Sequence, residues 1–309
     1  MARKPRARER GVMTSAQQKE SLRYFRAQAK GWEVKSRGSN KTEVNVIAQR
    51  NGYVLEVAKE RKAKSALDIG CGTGNLVCDL ARGRVKAVGV DFAQDMIDIA
   101  SRRAKKANLK HARFECCSAF DFDFSGRKFD VISANGFIEY ISQRQLSRFL
   151  GLVRGALPVR GSFVVGSRNR LFNIFSLNAF TRHELGRSAA SGLLEEAIAL
   201  ASGASLKALS KHKPVPLQGA GMKHASTGID VTTRYQYTPL QLIGLLKEHG
   251  FRPVEIRPIH IHCAPPGFKK RHPDIHCSTS NLLQAFGKDS PELIPYSSSF
   301  MIHARRKGD

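Results

Sequence analysis

The pattern of apolar and polar positions is most regular in the middle of the chain. From residue 65 onward, short apolar runs alternate with segments whose apolar residues recur at helical spacing. This alternation is typical of a parallel sheet covered by helices on both faces. The predicted strands are 65–69, 86–90, 111–116, 128–134, 160–166, 253–261 and 298–305, and the helices between the first five are 73–82, 94–107 and 143–156. The fold class is therefore α/β, with a seven-stranded, mostly parallel sheet.

The regular alternation stops on both sides of this core. After strand five, about seventy residues pass before the next clear helix, Pro239–His249, which Thr238 opens and Gly250 closes. A connection in such a fold usually has about 2–6 residues, so this stretch is an insertion, with a helix near 191–209. We expect it to form a lid over the substrate. The predicted units are a disordered basic arm (1–13), an N-terminal segment of two or three helices (14–64), the core (65–167), the insertion (168–235) and the remainder of the core (236–309).

The net charge of the chain bears on which partners it could bind. The chain of 309 residues has 51 Lys and Arg against 26 Asp and Glu, a formal net charge of +25, and the excess is greatest in residues 1–64. Such a field attracts polyanions and anionic membrane surfaces, although a basic solvated surface accounts for it equally well. No apolar stretch is long enough to span a bilayer or to act as a secretory signal. We therefore expect a cytoplasmic protein whose six cysteines stay reduced.

The first predicted strand carries the most informative motif. It ends in Asp68-Ile69 and runs directly into Gly70-Cys71-Gly72-Thr73-Gly74, ahead of a helix. Glycines at alternate positions let the backbone turn sharply and let a ligand approach where a Cβ would clash. The second strand ends in Asp91, whose carboxylate is able to accept both hydroxyls of a ribose. The two strand ends together predict a site for a nucleoside-containing cofactor.

This combination resembles the class I S-adenosylmethionine (SAM) dependent methyltransferases, which have a Rossmann-like fold. The resemblance covers 65–167 well and 236–305 weakly. It implies SAM as cofactor, with the three glycines as the floor of its site, Asp68 orienting the loop and the methionine amino group, and Asp91 holding the ribose. It also implies adenine contacts near the ends of strands two and three and a cleft residue after strand four; these residues are Phe92, Met96, Ser118 and Asn135.

The residues after strands four and five bear on the acceptor. Ser133–Tyr140 lacks the Asn/Asp-Pro-Pro-aromatic tetrapeptide of base amino-methyltransferases, and its Gly-Phe-Ile-Glu-Tyr-Ile part resembles small-molecule methyltransferases. Strand five ends in Arg168-Asn169-Arg170, and two arginines suit a phosphorylated, nucleotide-linked or acidic saccharide because guanidinium binds oxyanions at two points. The start of the insertion and 260–266 faintly resemble methyltransferases encoded with bacterial surface-polysaccharide enzymes.

Two histidines near the end of strand six are the candidate general bases. Period-two geometry places His260 and His262 on one face of an extended segment, at the edge of the sheet where ligands bind. Glu139 is the next candidate. His260, His262, Cys263, His272, His276 and Cys277 also raise the question of a metal, but their spacing matches no standard zinc pattern and methyl transfer needs no Lewis acid. We therefore predict no metal site.

The sequence thus predicts SAM-dependent methylation, most simply on oxygen, of a small-molecule, saccharide or lipid-linked acceptor. Two alternatives stay open. An RNA methyltransferase is favoured by the net charge of +25. A catalytically silent SAM-binding subunit of the same fold is the other.

Overall fold

The computed structural model describes residues 16–37, 41–187, 189–217 and 235–308, so the predicted arm at 1–13 lies outside the described residues. A seven-stranded sheet has the order β3-β2-β1-β4-β5-β7-β6. Its first five strands pair in parallel, and β7 runs antiparallel between β5 and β6. The strands are β1 (Ser65–Ile69), β2 (Lys86–Asp91), β3 (Ala112–Cys116), β4 (Val131–Asn135), β5 (Ser162–Arg168), β6 (Phe251–Ile261) and β7 (Ser297–Arg306). The predicted fold class is confirmed.

Helices cover both faces of this sheet. They are α1 (Ala16–Arg37), α2 (Val46–Glu60), α3 (Asn75–Arg82), α4 (Gln94–Lys106), α5 (Gln143–Ala156), α6 (Phe172–Phe175), α7 (Ala179–Gly186), α8 (Ala190–Ala201), α9 (Leu206–Leu209), α10 (Pro239–Glu248), α11 (Pro266–Arg271) and α12 (Pro273–Gly287). Short 3-10 helices lie at Ile138–Tyr140 and Pro291–Tyr296. None of the helices in the described part of the chain combines the length and the apolar character that a bilayer crossing requires.

The core lies on both faces of the sheet, which is why the central strands are apolar without interruption. One face buries aromatic side chains such as Phe149, Phe163 and Phe251 against α5 and α10. The other buries Tyr53 and Val77 beneath α2 and α3. Because β2 and β3 extend the sheet from one side of β1, and β4 and β5 from the other, their connections diverge and leave a crevice at the carboxyl ends of β1 and β4.

The residues at its two ends determine where the helix after the insertion, α10, begins and ends. Thr238 and Gln241 form a reciprocal capping box with Pro239 in the first turn, and Gly250 follows the helix with φ +78°. The insertion differs from its prediction, because the single helix expected near 191–209 is broken into α8 and α9 at Ser202-Gly203, where Gly203 has φ +75°. The region 263–297, in which no helix was predicted, contains α11 and α12, each with proline in its first turn.

Candidate active site

A cleft opens in the crevice at the carboxyl ends of β1, β2 and β4. It encloses about 1380 Å³ of space that no atom fills, part of it open to solvent. Of the residues selected from the sequence, ten line it: Asp68, Gly70, Gly72, Asp91, Phe92, Met96, Ser118, Asn135, Glu139 and Arg168.

The glycines of this loop have two different roles: one leaves space for a ligand, and another allows close packing within the protein. Gly70, Gly72 and Gly74 all have positive φ, at +72°, +51° and +73°. A Cβ on Gly72 would meet nothing within 4 Å and would project into open space, as a cradle for a ligand requires. A Cβ on Gly74 would lie 2.6 Å from the Cβ of Ala100, and Gly74 does not line the cleft. The expectation that Gly74 forms part of the cofactor floor is therefore corrected: it permits α3 to pack on α4.

Two buried carboxylates face each other across this loop. Asp91 accepts hydrogen bonds from the backbone N–H groups of Gly72 (3.0 Å) and Ala93 (2.9 Å), and Asp68 accepts one from the Ser133 hydroxyl (2.7 Å). Burial, together with the charge of Asp91, raises the pKa of Asp68 to about 7 despite the Ser133 hydrogen bond. Burial raises the pKa of Asp91 to about 6 although backbone N–H groups oppose it. A cationic ligand close to these carboxylates would offset the free-energy cost of keeping them ionised while they are buried.

The side of the cleft where the resemblance places the adenine is covered by the N-terminal helices. Phe92 and Met96 at the start of α4 line it, and α1 lies over them, with Phe25 packed edge-on to Tyr140 at a centroid distance of 5.2 Å. Ser118 lines the cleft, and its hydroxyl accepts the Phe120 backbone N–H (3.2 Å). The cofactor half is thus enclosed by aromatic rings that exclude water.

At the other end of the cleft, three polar side chains meet. Glu139 is 2% exposed; its Oε1 accepts the backbone N–H of Arg168 (3.0 Å), and its Oε2 lies 3.4 Å from the Arg168 Nε. The amide of Asn135 is buried, and neither its oxygen nor its nitrogen has a hydrogen-bond partner within the described residues. Arg50 of α2 adds a second guanidinium, anchored on the Ser299 hydroxyl (2.7 Å). An unsatisfied amide beside a charged pair is the chemistry of a binding site.

Two residues expected to bind substrate are instead structural. The Asn169 amide donates to the carbonyls of Ile294 (2.6 Å) and Ser297 (2.9 Å). Arg170 pairs through two hydrogen bonds with Glu184, which is fully buried. Neither residue lines the cleft. The described part of the insertion beyond Arg168, residues 169–187 and 189–217, contributes no lining residue to this cleft; 218–234 lie outside the described residues, and the role of the insertion as a lid stays a prediction.

The two candidate bases lie elsewhere. His260 and His262 are 7% and 8% exposed, their ring centroids are 4.3 Å apart, and neither lines the cleft. Burial lowers the pKa of His260 far below its usual range and that of His262 to about 3, and neighbouring positive charge from Lys269 acts in the same direction. A general base must reach the substrate that receives the methyl group, and it must be able to bind a proton near working pH. Their placement therefore weighs against a role in proton transfer and leaves Glu139 as the better candidate.

Sequence reasoning missed the contribution of α1 and α2. These helices supply Gln18, Ser21, Phe25, Trp32, Ile47, Arg50 and Asn51 to the lining. Phe25 and Trp32 belong to the helix-spaced apolar pattern of the N-terminal segment, which distinguishes a buried face from an exposed one but does not say what covers that face. A signal that could have found them is Trp32, the single tryptophan of the 309-residue sequence, which lies seven residues after Phe25.

Comparison with known proteins agrees with this site. Residues 66–161 match the family model described as a methyltransferase domain. The chain is similar to the ubiquinone biosynthesis O-methyltransferase of Bradyrhizobium diazoefficiens, with 28% identity over 169 residues that span 51% of this chain and 64% of the relative. A shorter match, 48% identical over 52 residues, covers 16% of this chain and 23% of the tRNA (guanine-N(7)-)-methyltransferase of Rubrobacter xylanophilus. The chain thus spans less than two thirds of the length of these curated relatives.

The fold also matches solved structures. Magnesium protoporphyrin IX methyltransferase from Synechocystis PCC 6803, solved with bound SAH, superposes with a TM-score of 0.57 at 12% identity, covering 94% of this chain and 100% of that one. The strand order, the glycine loop and the paired carboxylates therefore define a class I, Rossmann-like methyltransferase domain. Within that class, residues 66–161 match the family described as a methyltransferase domain.

The cofactor of this domain is SAM, as the sequence predicted. The residues present fit it: Gly72 leaves open space for the ligand, buried Asp68 suits an ammonium group, and buried Asp91 suits the hydroxyls of a ribose.

Proposed function

We propose that the protein transfers the methyl group of SAM to a hydroxyl oxygen of a small acceptor with an apolar, ring-containing body. The observation that carries the proposal is the far end of the cleft, where Glu139 pairs with Arg168 and Arg50 adds a second guanidinium. Phe137 and Tyr140, close to Glu139 in the chain, also line the cleft and offer flat surfaces to a ring, while Glu139 and Arg168 offer an acceptor and a donor to a hydroxyl. The name of the Bradyrhizobium diazoefficiens relative is consistent with oxygen as the target atom.

Enclosure favours a small acceptor over RNA. The cleft is covered by α1, which packs on the start of α4 and on the 3-10 helix Ile138–Tyr140. A base within a folded RNA needs an open groove and a basic path that leads to it. The cleft instead closes over its contents through apolar contacts, which suits a ligand that enters whole.

In the proposed reaction, SAM supplies an electrophilic methyl carbon on its sulfonium. The acceptor oxygen forms the new bond to that carbon while the carbon–sulfur bond breaks, and the hydroxyl proton passes to a carboxylate oxygen of Glu139. Arg168 holds Glu139 through its backbone N–H (3.0 Å) and its side chain, so the carboxylate has one orientation. Asn135 orients the reacting groups, and the rings of α1 exclude water. Alignment of this kind accounts for much of the rate in bimolecular transfers.

The test is methyl transfer from isotopically labelled SAM to a panel of phenols and catechols, nucleotide sugars, oligosaccharides and tRNA. We expect label on a hydroxyl of an aromatic small molecule. Glu139→Gln should lower the single-turnover rate at least about a hundredfold while SAM affinity stays within a few-fold, because a positioned base contributes about 10²–10⁴ in rate. The matched control is Glu195→Gln, an exposed glutamate of α8.

Three outcomes would contradict the proposal. Label that appears only on RNA would support an RNA methyltransferase, and label only on saccharides would replace the acceptor class. SAM binding without transfer to any member of the panel would favour a silent SAM-binding subunit. A Glu139→Gln variant as fast as Glu195→Gln would remove Glu139 as the base.

A further inference from the structure

Three imidazoles converge where the end of β6 meets α12. His260 lies at the end of β6, His262 follows directly after that strand, and His276 comes from the first turns of α12. One ring nitrogen of each histidine lies within 4.8 Å of the other two, and all three residues are buried. None of them lines the cofactor cleft. The spacing along the chain matches no zinc pattern because the third histidine reaches the cluster only through the packing of α12, where no helix was predicted.

The hydrogen bonds of the cluster leave buried nitrogens unsatisfied. His260 Nδ1 lies 3.0 Å from the Ser298 hydroxyl, and His260 Nε2 lies 3.0 Å from His276 Nε2. Both ring nitrogens of His262, and Nδ1 of His276, are buried without a hydrogen-bond partner in the described part of the chain. Burial lowers the pKa of His262 to about 3 and that of His276 to about 4, so at neutral pH the rings carry lone pairs and no charge. Leaving both nitrogens of the buried His262 ring without a partner is costly, and a ligand bound within the cluster would satisfy one of them.

Surrounding residues fix the orientation of these rings. If Ser298 accepts the Nδ1 proton of His260, the Nε2 lone pair points into the cluster, which is how an outer hydrogen bond selects the ligating tautomer in metal sites. His260 has φ +59°, a strained conformation for a residue with a side chain. Its backbone N–H is held by the side-chain oxygens of Gln49 and Gln284, each at 2.9 Å. The Phe172 ring covers His262 at a centroid distance of 4.6 Å.

We propose that His260, His262 and His276 bind a divalent transition-metal ion of the Zn²⁺ type. Imidazole nitrogen is a preferred ligand of Zn²⁺, Co²⁺ and Ni²⁺, and three imidazoles with a water molecule complete a four-coordinate site. The His260–His276 separation of 3.0 Å corresponds to metal–nitrogen bonds of about 2.0–2.1 Å at an angle of about 90–95°. In a four-coordinate site with such bonds the ligand nitrogens lie about 3.3 Å apart, so the third ring must move inward by up to about 1.5 Å from the 4.8 Å limit.

The position of the site defines its role. It joins the carboxyl end of β6 to α12, two elements in direct contact, and it lies apart from the cleft lining. A metal here clamps α12 onto the antiparallel edge of the sheet and takes no part in methyl transfer. Lys269 and Arg168 add positive charge nearby, so we expect micromolar binding, weaker than in sites with anionic ligands.

The test uses the full chain without a histidine tag, stripped with a chelator and then titrated with Co²⁺ alone and with Zn²⁺ alone. We expect one ion per chain with micromolar Kd, Co²⁺ d–d absorption bands typical of nitrogen ligation, and a higher melting temperature with Zn²⁺ that the chelator reverses. His262→Asn and His276→Asn should each weaken binding at least about tenfold. His212→Asn, at an exposed histidine outside the cluster, is the matched control and should bind as the wild type does.

SAM affinity reports whether each variant is folded. Folded His262→Asn and His276→Asn proteins that bind Co²⁺ like His212→Asn would overturn the proposal. If a variant fails to fold, the wild type decides: a melting temperature unmoved by Zn²⁺, or the absence of stoichiometric Co²⁺ absorption, would also overturn it. The three rings would then be a neutral buried cluster that stabilises the end of β6 by packing alone.

Discussion

Lowering the pH should weaken cofactor binding through the two carboxylates beside the glycine loop. Without a ligand, burial raises the pKa of Asp68 to about 7 and that of Asp91 to about 6. The ammonium group of SAM favours the ionised form of Asp68, and ribose hydroxyls that donate to Asp91 favour its ionised form, so binding lowers both pKa values and releases protons. The charged forms bind, and they are lost as the pH falls through 7 and 6. Affinity must therefore fall in the same direction.

The size of the effect follows from these two values. At pH 8 nearly all of both groups are ionised, whereas at pH 6 about one Asp68 in eleven and about half of Asp91 are ionised. If both are ionised in the complex, the dissociation constant rises about twentyfold between pH 8 and pH 6, or about 1.8 kcal/mol. The same linkage acts on stability. The pKa values of Asp68 and Asp91 in the folded protein are raised above the ordinary 3.8, so their protonated forms stabilise the fold. This stabilisation is fully present below pH 3.8 and is lost as the pH rises through 6 to 7.

Calorimetry at pH 8, 7 and 6 measures the dissociation constant, with two buffers of different ionisation enthalpy to count the protons released. Asp91→Asn should bind more weakly at pH 8 and show a shallower pH dependence, because one of the two titrating groups is gone. Asp98→Asn, at an exposed position of α4, is the control and should retain the wild-type slope. A dissociation constant that is flat from pH 8 to 6 would refute the reasoning and show that the ionised carboxylates do not hold the cofactor's ammonium group and ribose hydroxyls.

The remaining predictions separate packing from binding. Gly74→Ala places a Cβ 2.6 Å from that of Ala100 at φ +73°, so the free energy of unfolding, measured with denaturant, should fall by about 2–4 kcal/mol. Gly72→Ala, at φ +51° with open space around its Cβ, should cost about 1–2 kcal/mol of stability but weaken SAM at least tenfold; equal effects of both variants on affinity would contradict this division. Arg170→Met removes the ion pair of buried Glu184, which keeps its hydrogen bond from Asn173, and should cost about 3–5 kcal/mol without changing SAM affinity in the folded protein; a loss of affinity at full stability would return Arg170 to the site.

The features predicted well from the sequence are those that neighbouring residues encode. The strands leading to Asp68 and Asp91 are continuous apolar runs, and each ends within two residues of its predicted limit. The helix after Thr238 begins and ends where its cap residues indicate. The glycine loop was recognisable because each of its glycines adopts a backbone conformation that other residues rarely take. In these cases the physical cause lies within a few residues of the effect.

Contacts between distant segments could not be predicted in this way. Arg170 has the composition of an anion site, but Glu184, fourteen residues away, pairs with it and removes it from the cleft. Phe25 has the spacing of a core residue, and only the packing of α1 against α4 makes it part of a ligand site. His276 joins the cluster of β6 because α12 folds back over that strand. Each outcome depends on which surface covers a side chain, and hydrophobic periodicity carries no information about that partner.

Burial explains why the roles of the histidines and of Glu139 differ from the first expectation. A general base must exchange its proton at working pH, and burial lowers the pKa of His262 to about 3, which makes its protonated form unfavourable. The same burial keeps the imidazole lone pairs uncharged and available to a metal ion. Glu139 is equally buried, but it lies in the cleft, and the Arg168 guanidinium beside it compensates its charge. One physical quantity, the cost of burying charge, therefore favours the carboxylate for proton transfer and the imidazoles for coordination.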